Sequence, residues 1–304
     1  MSSIAMTAAA ARTILVTGVS GQVGFELRRA LQGLGRIVAV DRAALDLADP
    51  ASIRACIVSV RPDVIVSPAA YTAVDQAERE AHAARAINAV APAVLAEAAK
   101  RIGALLVHYS TDYVFDGTKP DAYREDDATH PQNVYGATKL EGEQAIAASG
   151  ASHLIFRTSW VYGMRGRNFL LTMLRLARER DELRIVADQV GAPTWSATIA
   201  ALTASVIAQG IGSEQGLAEW ARAKSGIYHL TAGGSTSWAG FAEAIFAEAQ
   251  VEKAPRVIPI PASEYPVPAR QPSNSRLDVS KLAGEFGLVP PDWREALSLC
   301  LASD

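Results

Sequence analysis

From Thr13 to Gly24 the chain reads TILVTGVSGQVG, an apolar run that leads directly into three spaced glycines. The first five residues are apolar and rich in β-branched side chains, which predicts a buried strand, and Phe25 to Leu34 is expected to form the next helix. A glycine turn between a strand and a helix brings backbone N–H groups close to a pyrophosphate. The stretch therefore predicts a dinucleotide site formed by Gly18, Gly21, Gln22, Val23 and Gly24.

An acidic residue ends the next predicted strand, which runs from Ile37 to Val40. Asp41 lies about twenty residues beyond the glycine turn, where a carboxylate can accept hydrogen bonds from the adenosine ribose. Arg42 follows it and can pair with a 2′-phosphate. We therefore expect NADPH as the cofactor, with NADH also usable and a modest preference for NADPH that depends on Arg42.

A tyrosine and a lysine occur four residues apart in the stretch YGATK, from Tyr135 to Lys139. In a helix this spacing places both side chains on one face. A nearby ammonium group favours the phenolate, so we expect Lys139 to lower the pKa of Tyr135 and to make it a proton donor or acceptor near neutral pH.

Strand and helix signals alternate through the first half of the chain. Strands are predicted at 64–66, 105–109 and 154–157, and helices at 78–101, with an interruption at Pro92, and at 135–149. This alternation predicts an α/β fold of the Rossmann type, a doubly wound parallel sheet. Ligands of such sheets bind beyond the carboxyl ends of the strands. Polar clusters follow three of the predicted strands, at 69–72, 110–112 and 158–160.

Prolines become frequent in the second half of the chain, where the alternation weakens. We expect a disordered N-terminal tail at 1–11 and an NAD(P)-binding Rossmann domain at 12–160. Residues 161–304 are expected to form mainly a smaller C-terminal substrate-binding lobe, with some segments returning to the Rossmann domain.

Composition narrows the class of protein. The chain has 304 residues, 49% of them hydrophobic, a net charge of −3 and dispersed lysines and arginines. Nucleic acid and membranes are therefore not expected as partners, because both attract clustered basic residues or long apolar runs. Cys56 and Cys300 match no metal-binding spacing, and we expect a cytoplasmic enzyme.

The glycine turn, the hydroxyl-bearing Ser110 and Thr111 and the YGATK helix together resemble the extended short-chain dehydrogenase/reductase family. Within it, the chain resembles the dTDP-4-dehydrorhamnose reductases over nearly its whole length. The stretches that carry this finer resemblance are AAYTAVD (69–75), HYSTDYVF (108–115), RTSWVY (157–162), DQVGAPT (188–194) and PARQPSNSRL (268–277).

The resemblance implies reduction of the C4 ketone of dTDP-4-dehydro-L-rhamnose to dTDP-L-rhamnose, the last step in making this sugar donor for cell-surface polysaccharide such as lipopolysaccharide O-antigen. It implies that Thr111 polarises the ketone, Tyr135 transfers the proton and Lys139 holds the nicotinamide ribose. It places Asp46, Leu47, Ala69, Ala70, Tyr71 and Tyr109 at the cofactor. The substrate residues are expected to be Thr72, Thr111, Asp112, Trp160, Asn168 and Arg270.

The chain departs from the family pattern in two places. Asp46-Leu47 stands in for the family's adenine-side pair after a shortened connection. Some members dimerise around Mg²⁺ held by glutamates; Glu26 matches one ligand, but Ala197 occupies the position of another. We therefore expect no metal ligands, a doubtful role for Mg²⁺, and either a monomer or a homodimer.

Two other functions share these motifs. One is a non-catalytic, NADP-binding regulatory subunit, against which the complete set of Thr111, Tyr135 and Lys139 argues. The other is a sugar-nucleotide epimerase or dehydratase. Dehydratases place an acidic pair beside the catalytic threonine, whereas here Asp112 is followed by Tyr113.

Overall fold

A computed structural model describes residues 12–303 of the protein. The expected tail at 1–11 lies outside the described residues. The strands are Thr13–Val16 (β1), Arg36–Ala39 (β2), Val64–Ser67 (β3), Leu105–Thr111 (β4), His153–Thr158 (β5), Val161–Tyr162 (β6), Glu182–Val186 (β7), Val190–Gly191 (β8), Thr194–Trp195 (β9), Gly226–His229 (β10), Thr236–Ser237 (β11) and Arg256–Ile260 (β12).

The helices lie mostly between these strands. They are Gln22–Ala30 (α1), Pro50–Val60 (α2), Val74–Ala77 (α3), Ala81–Arg85 (α4), Ala91–Ile102 (α5), Val134–Ser149 (α6), Phe169–Leu176 (α7), Ser196–Ile211 (α8), Leu217–Lys224 (α9), Trp238–Glu248 (α10), Ser280–Phe286 (α11) and Trp293–Ala302 (α12). A π-helical turn, Ala86–Val90, joins α4 to α5, and short 3₁₀ turns occur at Asp112–Val114 and Ala262–Glu264.

Six strands form one parallel sheet in the order β10-β5-β4-β3-β1-β2. Successive residues of β1 enter different hydrophobic clusters: Ile14 and Val16 pack with α1 and α8, and Leu15 with α2 and α5. A sheet covered by helices on both faces needs apolar residues at consecutive strand positions, which explains the unbroken apolar runs in the sequence. The predicted doubly wound α/β fold is confirmed.

The strand order reverses direction at β1, since β2 lies on one side of it and β3 on the other. Such a reversal opens a crevice beyond the carboxyl ends of the strands, and ligands bind there. Helix α1 begins at Gln22, three residues before the expected start at Phe25, and ends at Ala30 rather than Leu34. The apolar periodicity missed this start because the polar Gln22 and small Gly24 form its first turn.

Residues beyond 160 contribute both to this sheet and to a separate hydrophobic cluster. Strand β10 is the sixth strand of the sheet, and α8 packs against α1. The separate cluster is built mainly from α7, α10 and α12, with Phe241 and Leu297 fully buried in it. Three two-stranded ladders also lie beyond residue 160, β6 with β9, β7 with β12 and β8 with β11.

Candidate active site

The glycine turn after β1 is held by contacts that only glycine permits. Gly18 has φ of +58°, and a Cβ atom there would lie 2.7 Å from the Cβ of Ala69. A Cβ at Gly24 would lie 2.2 Å from the carbonyl oxygen of Gly18. Gly21 is the N-cap of α1 and has no side chain with which to cap it, so the first N–H groups of the helix are available to an anion. This turn fits the pyrophosphate of a dinucleotide.

A cleft of about 670 Å³ opens beyond the glycine turn. It brings together the five predicted residues of the turn with most of the other candidates. The further candidates that line it are Asp41, Arg42, Asp46, Leu47, Ala69, Ala70, Thr72, Tyr109, Thr111, Asp112, Tyr135, Lys139 and Trp160. Ser110 and Arg167 also contribute to its wall.

One end of the cleft is formed by the connection after β2. Asp41 accepts hydrogen bonds at Oδ1 from the backbone N–H groups of Ala43 and Ala44, at 3.0 and 3.1 Å. Its second oxygen can therefore meet ribose hydroxyls while the first shapes the turn. Arg42 is exposed beside it, where its side chain can reach a 2′-phosphate on the ribose. Asp46 accepts from the N–H of Ala48, and Leu47 is buried.

Helix α6 supplies Tyr135 and Lys139 at the other end. Asn133 caps the helix by accepting from the N–H of Gly136 at 2.8 Å. Thr111 ends β4 beside the helix; its hydroxyl donates to Oδ1 of Asp112 at 3.0 Å and accepts from the N–H of Tyr113. Burial raises the pKa of Asp112 to about 6, although hydrogen bonds from Ser275 and Thr111 oppose this shift.

Lys139 is 1% exposed, and its ammonium group is held by β4. Nζ donates to the carbonyl oxygen of Tyr109 at 2.6 Å and lies 3.2 Å from Nε2 of His108. An ammonium group has three N–H donors, so these two contacts leave one directed elsewhere. Burial lowers the pKa of Lys139 to about 8, against the opposing effect of Glu143.

The expected influence of Lys139 on Tyr135 is not what the structure shows. Burial raises the pKa of Tyr135 to about 12, and only the contact with Thr111 acts in the lowering direction. The helical spacing was correct, but the Lys139 ammonium turns towards the carbonyl oxygen of Tyr109 in β4. Tyr135 is therefore a protonated phenol at neutral pH, and a donor rather than an acceptor.

Comparison with known proteins adds to this geometry. Residues 12–304 match the family model described as the RmlD substrate binding domain. The dTDP-4-dehydrorhamnose reductase of Burkholderia thailandensis is 52% identical over 294 residues, with 95% of this chain and 97% of the relative covered. The chain belongs to the dTDP-4-dehydrorhamnose reductase family.

Other members of this family are similarly close along their whole length. The Escherichia coli K12 dTDP-4-dehydrorhamnose reductase is 45% identical, covering 92% of this chain and 94% of the relative. A crystal structure of the Bacillus anthracis dTDP-4-dehydrorhamnose reductase, in complex with NADP, aligns with a TM-score of 0.88 and 34% identity. That alignment covers 97% of this chain and all of the other, so the shared fold extends beyond residue 160 to the separate hydrophobic cluster.

Three residues predicted from the family pattern lie outside the cleft wall. The phenol of Tyr71 donates to Glu80 at 2.7 Å. Asn168 caps α7 and donates to Oε1 of Gln22 at 2.8 Å, so it lies behind a cleft residue. The side chain of Arg270 is exposed, while its carbonyl accepts from Asn133. Their direct contacts with cofactor or substrate stay predictions.

Sequence reasoning missed Asn88, a buried residue of the π-helical turn. Its amide pairs with the backbone N–H and carbonyl of Tyr71, at 2.9 and 3.1 Å, and also reaches the hydroxyl of Thr138. It thereby ties the loop after β3 to α6. The available signal in the sequence was a single asparagine within an alanine-rich helix. The π-helical turn that contains it is a feature that is frequent at functional sites. Pro92 follows this turn at the start of α5 without breaking the helix.

His108 was missed as well, because a histidine inside an apolar strand carries no signal of its neighbour. It is fully buried, and both burial and the Lys139 charge keep its pKa well below the ordinary range. Since Lys139 can only donate, Nε2 of His108 is the acceptor. Neutral His108 thus helps to fix the position of the lysine.

The described residues offer neither a metal-binding cluster nor a membrane-spanning helix. Within residues 12–303, no cluster of three or more histidine, cysteine, aspartate or glutamate side chains is placed to bind a metal ion. Glu26 pairs instead with Arg29. None of the helices in the described part is long and apolar enough to cross a membrane.

Proposed function

We propose that the protein is a dTDP-4-dehydrorhamnose reductase, which uses NADPH to reduce the C4 ketone of dTDP-4-dehydro-L-rhamnose to dTDP-L-rhamnose. The observation that carries this proposal is the meeting of Thr111, Tyr135 and Lys139 in the same cleft as the glycine turn. Membership of the family indicates the substrate, and the cleft contains side chains that are suited to reducing a ketone.

The chain's own residues account for the handling of the proton. A bound nicotinamide cofactor supplies the hydride to C4. Thr111 interacts with the substrate oxygen, and the protonated phenol of Tyr135 donates its proton to the oxygen as negative charge develops on it. Lys139 holds the cofactor ribose and places a positive charge near the reacting atoms. The raised pKa of Tyr135 keeps its phenol protonated at neutral pH, which is the state that a proton donor needs.

Cofactor choice depends on the exposed end of the cleft. Asp41 accepts hydrogen bonds from ribose hydroxyls and repels a 2′-phosphate, whereas Arg42 attracts that phosphate. We infer that both NADPH and NADH are used, with a modest preference for NADPH. The NADP bound by the Bacillus anthracis relative supports NADPH as a cofactor.

The cellular setting follows from the proposed reaction. The enzyme would complete dTDP-rhamnose for cell-surface polysaccharide, such as lipopolysaccharide O-antigen, from the cytoplasm. Residues 161–304 would supply most of the substrate lobe. The enzyme would act as a monomer or a homodimer without a Mg²⁺ bridge, and neither nucleic acid nor membrane would be needed.

A coupled assay tests the proposed reaction. Purified protein is mixed with dTDP-4-dehydro-6-deoxyglucose, a 3,5-epimerase and NADPH, and the products are separated. We expect oxidation of NADPH and formation of dTDP-rhamnose that both depend on the epimerase. Absence of oxidation would favour the regulatory subunit, whereas tightly retained NAD⁺ with conversion of a nucleotide-sugar and no net oxidation would favour an epimerase or dehydratase.

A further inference from the structure

Trp160 lies in the cleft wall with an unusual backbone conformation. Its φ is +47°, in the left-handed region that bulky residues rarely occupy. Its carbonyl oxygen accepts from the N–H of Thr194 at 3.2 Å, and Ser159 donates to the carbonyl of Ala192. Such a conformation persists only where the surroundings hold it, and it is common at ligand sites. What holds the Trp160 ring is therefore informative about its role.

Trp238 covers one face of that ring. The two indoles are stacked with centroids 3.5 Å apart and 9° between their planes. Trp238 is itself supported by Phe169, whose ring centroid lies 4.7 Å away. It begins α10 directly after Ser237, which caps the helix by accepting from the N–H of Gly240. The covering indole is thus fixed by a helix start and by the core of the second lobe.

Gly191 lies over Cε2 of the same indole, on the face opposite Trp238. A Cβ atom at this position would be 2.6 Å from Cε2 and 2.9 Å from Nε1 of Trp160. In the β8–β11 ladder, Gly191 is paired with Thr236, two residues before Trp238. One short ladder therefore places both contacts around Trp160, and any side chain at 191 would displace the indole.

The position of Trp160 favours contact with the substrate over contact with the dinucleotide. It follows β5, which is separated from the glycine turn of β1 by two strands, β4 and β3. Thr111, at the end of β4, is paired with Thr158 only two residues before Trp160. An indole at this place is next to the predicted site of the reacting ketone, on the side away from the pyrophosphate turn.

We propose that Trp238 and Gly191 are positioning residues that fix the Trp160 indole as a rigid wall for the sugar of the substrate. This inference rests on the proposed function. Because Trp238 covers one face of Trp160 and Gly191 lies over Cε2 on the other, the sugar meets only the part of the ring that these two residues leave uncovered. An indole that is already fixed loses little conformational entropy on binding, so the stacked arrangement strengthens binding of the sugar-nucleotide. Binding of the dinucleotide, which depends on other residues, is independent of it.

The first test replaces Trp238 by leucine and measures both binding and optical activity. Two stacked indoles couple their electronic transitions, so the wild-type protein should show an exciton couplet in circular dichroism that Trp238→Leu loses. The KM for the sugar-nucleotide should rise about tenfold, the size expected for loss of one aromatic stack, while the Kd of NADPH changes by less than about twofold. Trp220→Leu is the matched control, because Trp220 packs against Phe286 outside the cleft.

Two further variants separate positioning from general loss of structure. Trp238→Phe retains an aromatic ring and should restore most of the affinity without the couplet. Gly191→Ala retains both tryptophans but pushes on the Trp160 ring, so it should change the couplet and raise the same KM. An unchanged KM in Gly191→Ala and Trp238→Leu, with the couplet altered, would overturn the proposal, as would equal losses of sugar and NADPH binding. Failure of the wild-type protein to reduce the ketone would instead overturn the proposed function.

Discussion

The two ends of the cleft differ in how far their charged groups are removed from water. At the catalytic end, Lys139 is 1% exposed. Glu143, one turn further along α6, forms an ion pair with Arg157 of β5, and both of these side chains are 2% exposed. At the adenosine end, Asp41 and Arg42 are exposed. Coulombic interactions are weakened by water and by salt, so one unit of charge has a much larger effect at the first end.

The difference in burial suits the two ends of the cleft to different roles. At the catalytic end, burial moves the pKa of Tyr135 to about 12, of Lys139 to about 8 and of Asp112 to about 6. At the adenosine end, the proposed choice between NADPH and NADH depends on one exposed contact of Arg42. Variants at the two ends should therefore differ in the size of their effects, with the larger losses at the buried end.

The largest effect is expected for Tyr135→Phe. The ring would still pack against Tyr113, whose centroid is 5.6 Å away, but the proton donor would be lost. The kcat for ketone reduction should fall by about 10²- to 10⁴-fold, with the Kd of NADPH nearly unchanged. Tyr228→Phe, which removes a buried phenol outside the cleft, serves as the control in the same NADPH oxidation assay. Activity above about a tenth of the wild-type value would contradict the role of Tyr135.

Next is the buried ion pair that joins α6 to β5. Arg157 donates to both carboxylate oxygens of Glu143, at 2.9 and 2.7 Å. Glu143→Gln leaves the arginine charge buried without its partner and should reduce the free energy of unfolding by about 3–5 kcal/mol. Glu179→Gln removes an exposed pair with Arg175 and should cost less than about 1 kcal/mol. Denaturant unfolding measures both, and similar losses would show that burial does not govern these pairs.

A smaller but more specific effect is expected for Lys139→Met. In the wild-type protein the ammonium is protonated below about pH 8 and loses its proton above it, so kcat/KM should fall as the pH rises through about 8. In the variant this fall should move to higher pH, because Tyr135 titrates only near 12. NADPH binding should also weaken about tenfold. If the pH profile stays the same and only the affinity for NADPH falls, Lys139 is not responsible for the loss of activity at high pH.

The smallest effect is expected at the exposed end. Arg42→Ala should lower kcat/KM for NADPH about fivefold, as an exposed charge contact contributes about 1 kcal/mol, and should leave NADH nearly unaffected. Arg36→Ala, at the opposite end of β2, is the matched control because Arg36 is exposed but does not line the cleft. Equal losses with both cofactors would mean that Arg42 supports the loop instead of binding the 2′-phosphate. Raising the salt concentration should reduce the NADPH preference of the wild-type protein.

The sequence determined those features that depend on neighbouring residues. The strand, glycine turn and helix from Thr13 onwards lie in one continuous segment, so their backbone requirements could be predicted directly. The one-turn spacing of Tyr135 and Lys139 likewise follows from helix geometry alone. The α/β fold and the family were confirmed. The roles of the individual site residues stay predictions.

Only the tertiary structure decided the surroundings of these residues. Lys139 points to His108 and Tyr109, thirty or so positions earlier in the chain, and burial of the Tyr135 phenol raises its pKa instead of lowering it. The indole of Trp160 is held by Gly191 and Trp238, which meet through a two-residue ladder with no signal in the local sequence. The physical reason is that pKa values and side-chain positions depend on burial and on neighbours across the fold, whereas local sequence patterns report mainly backbone conformation and which face of an element is apolar.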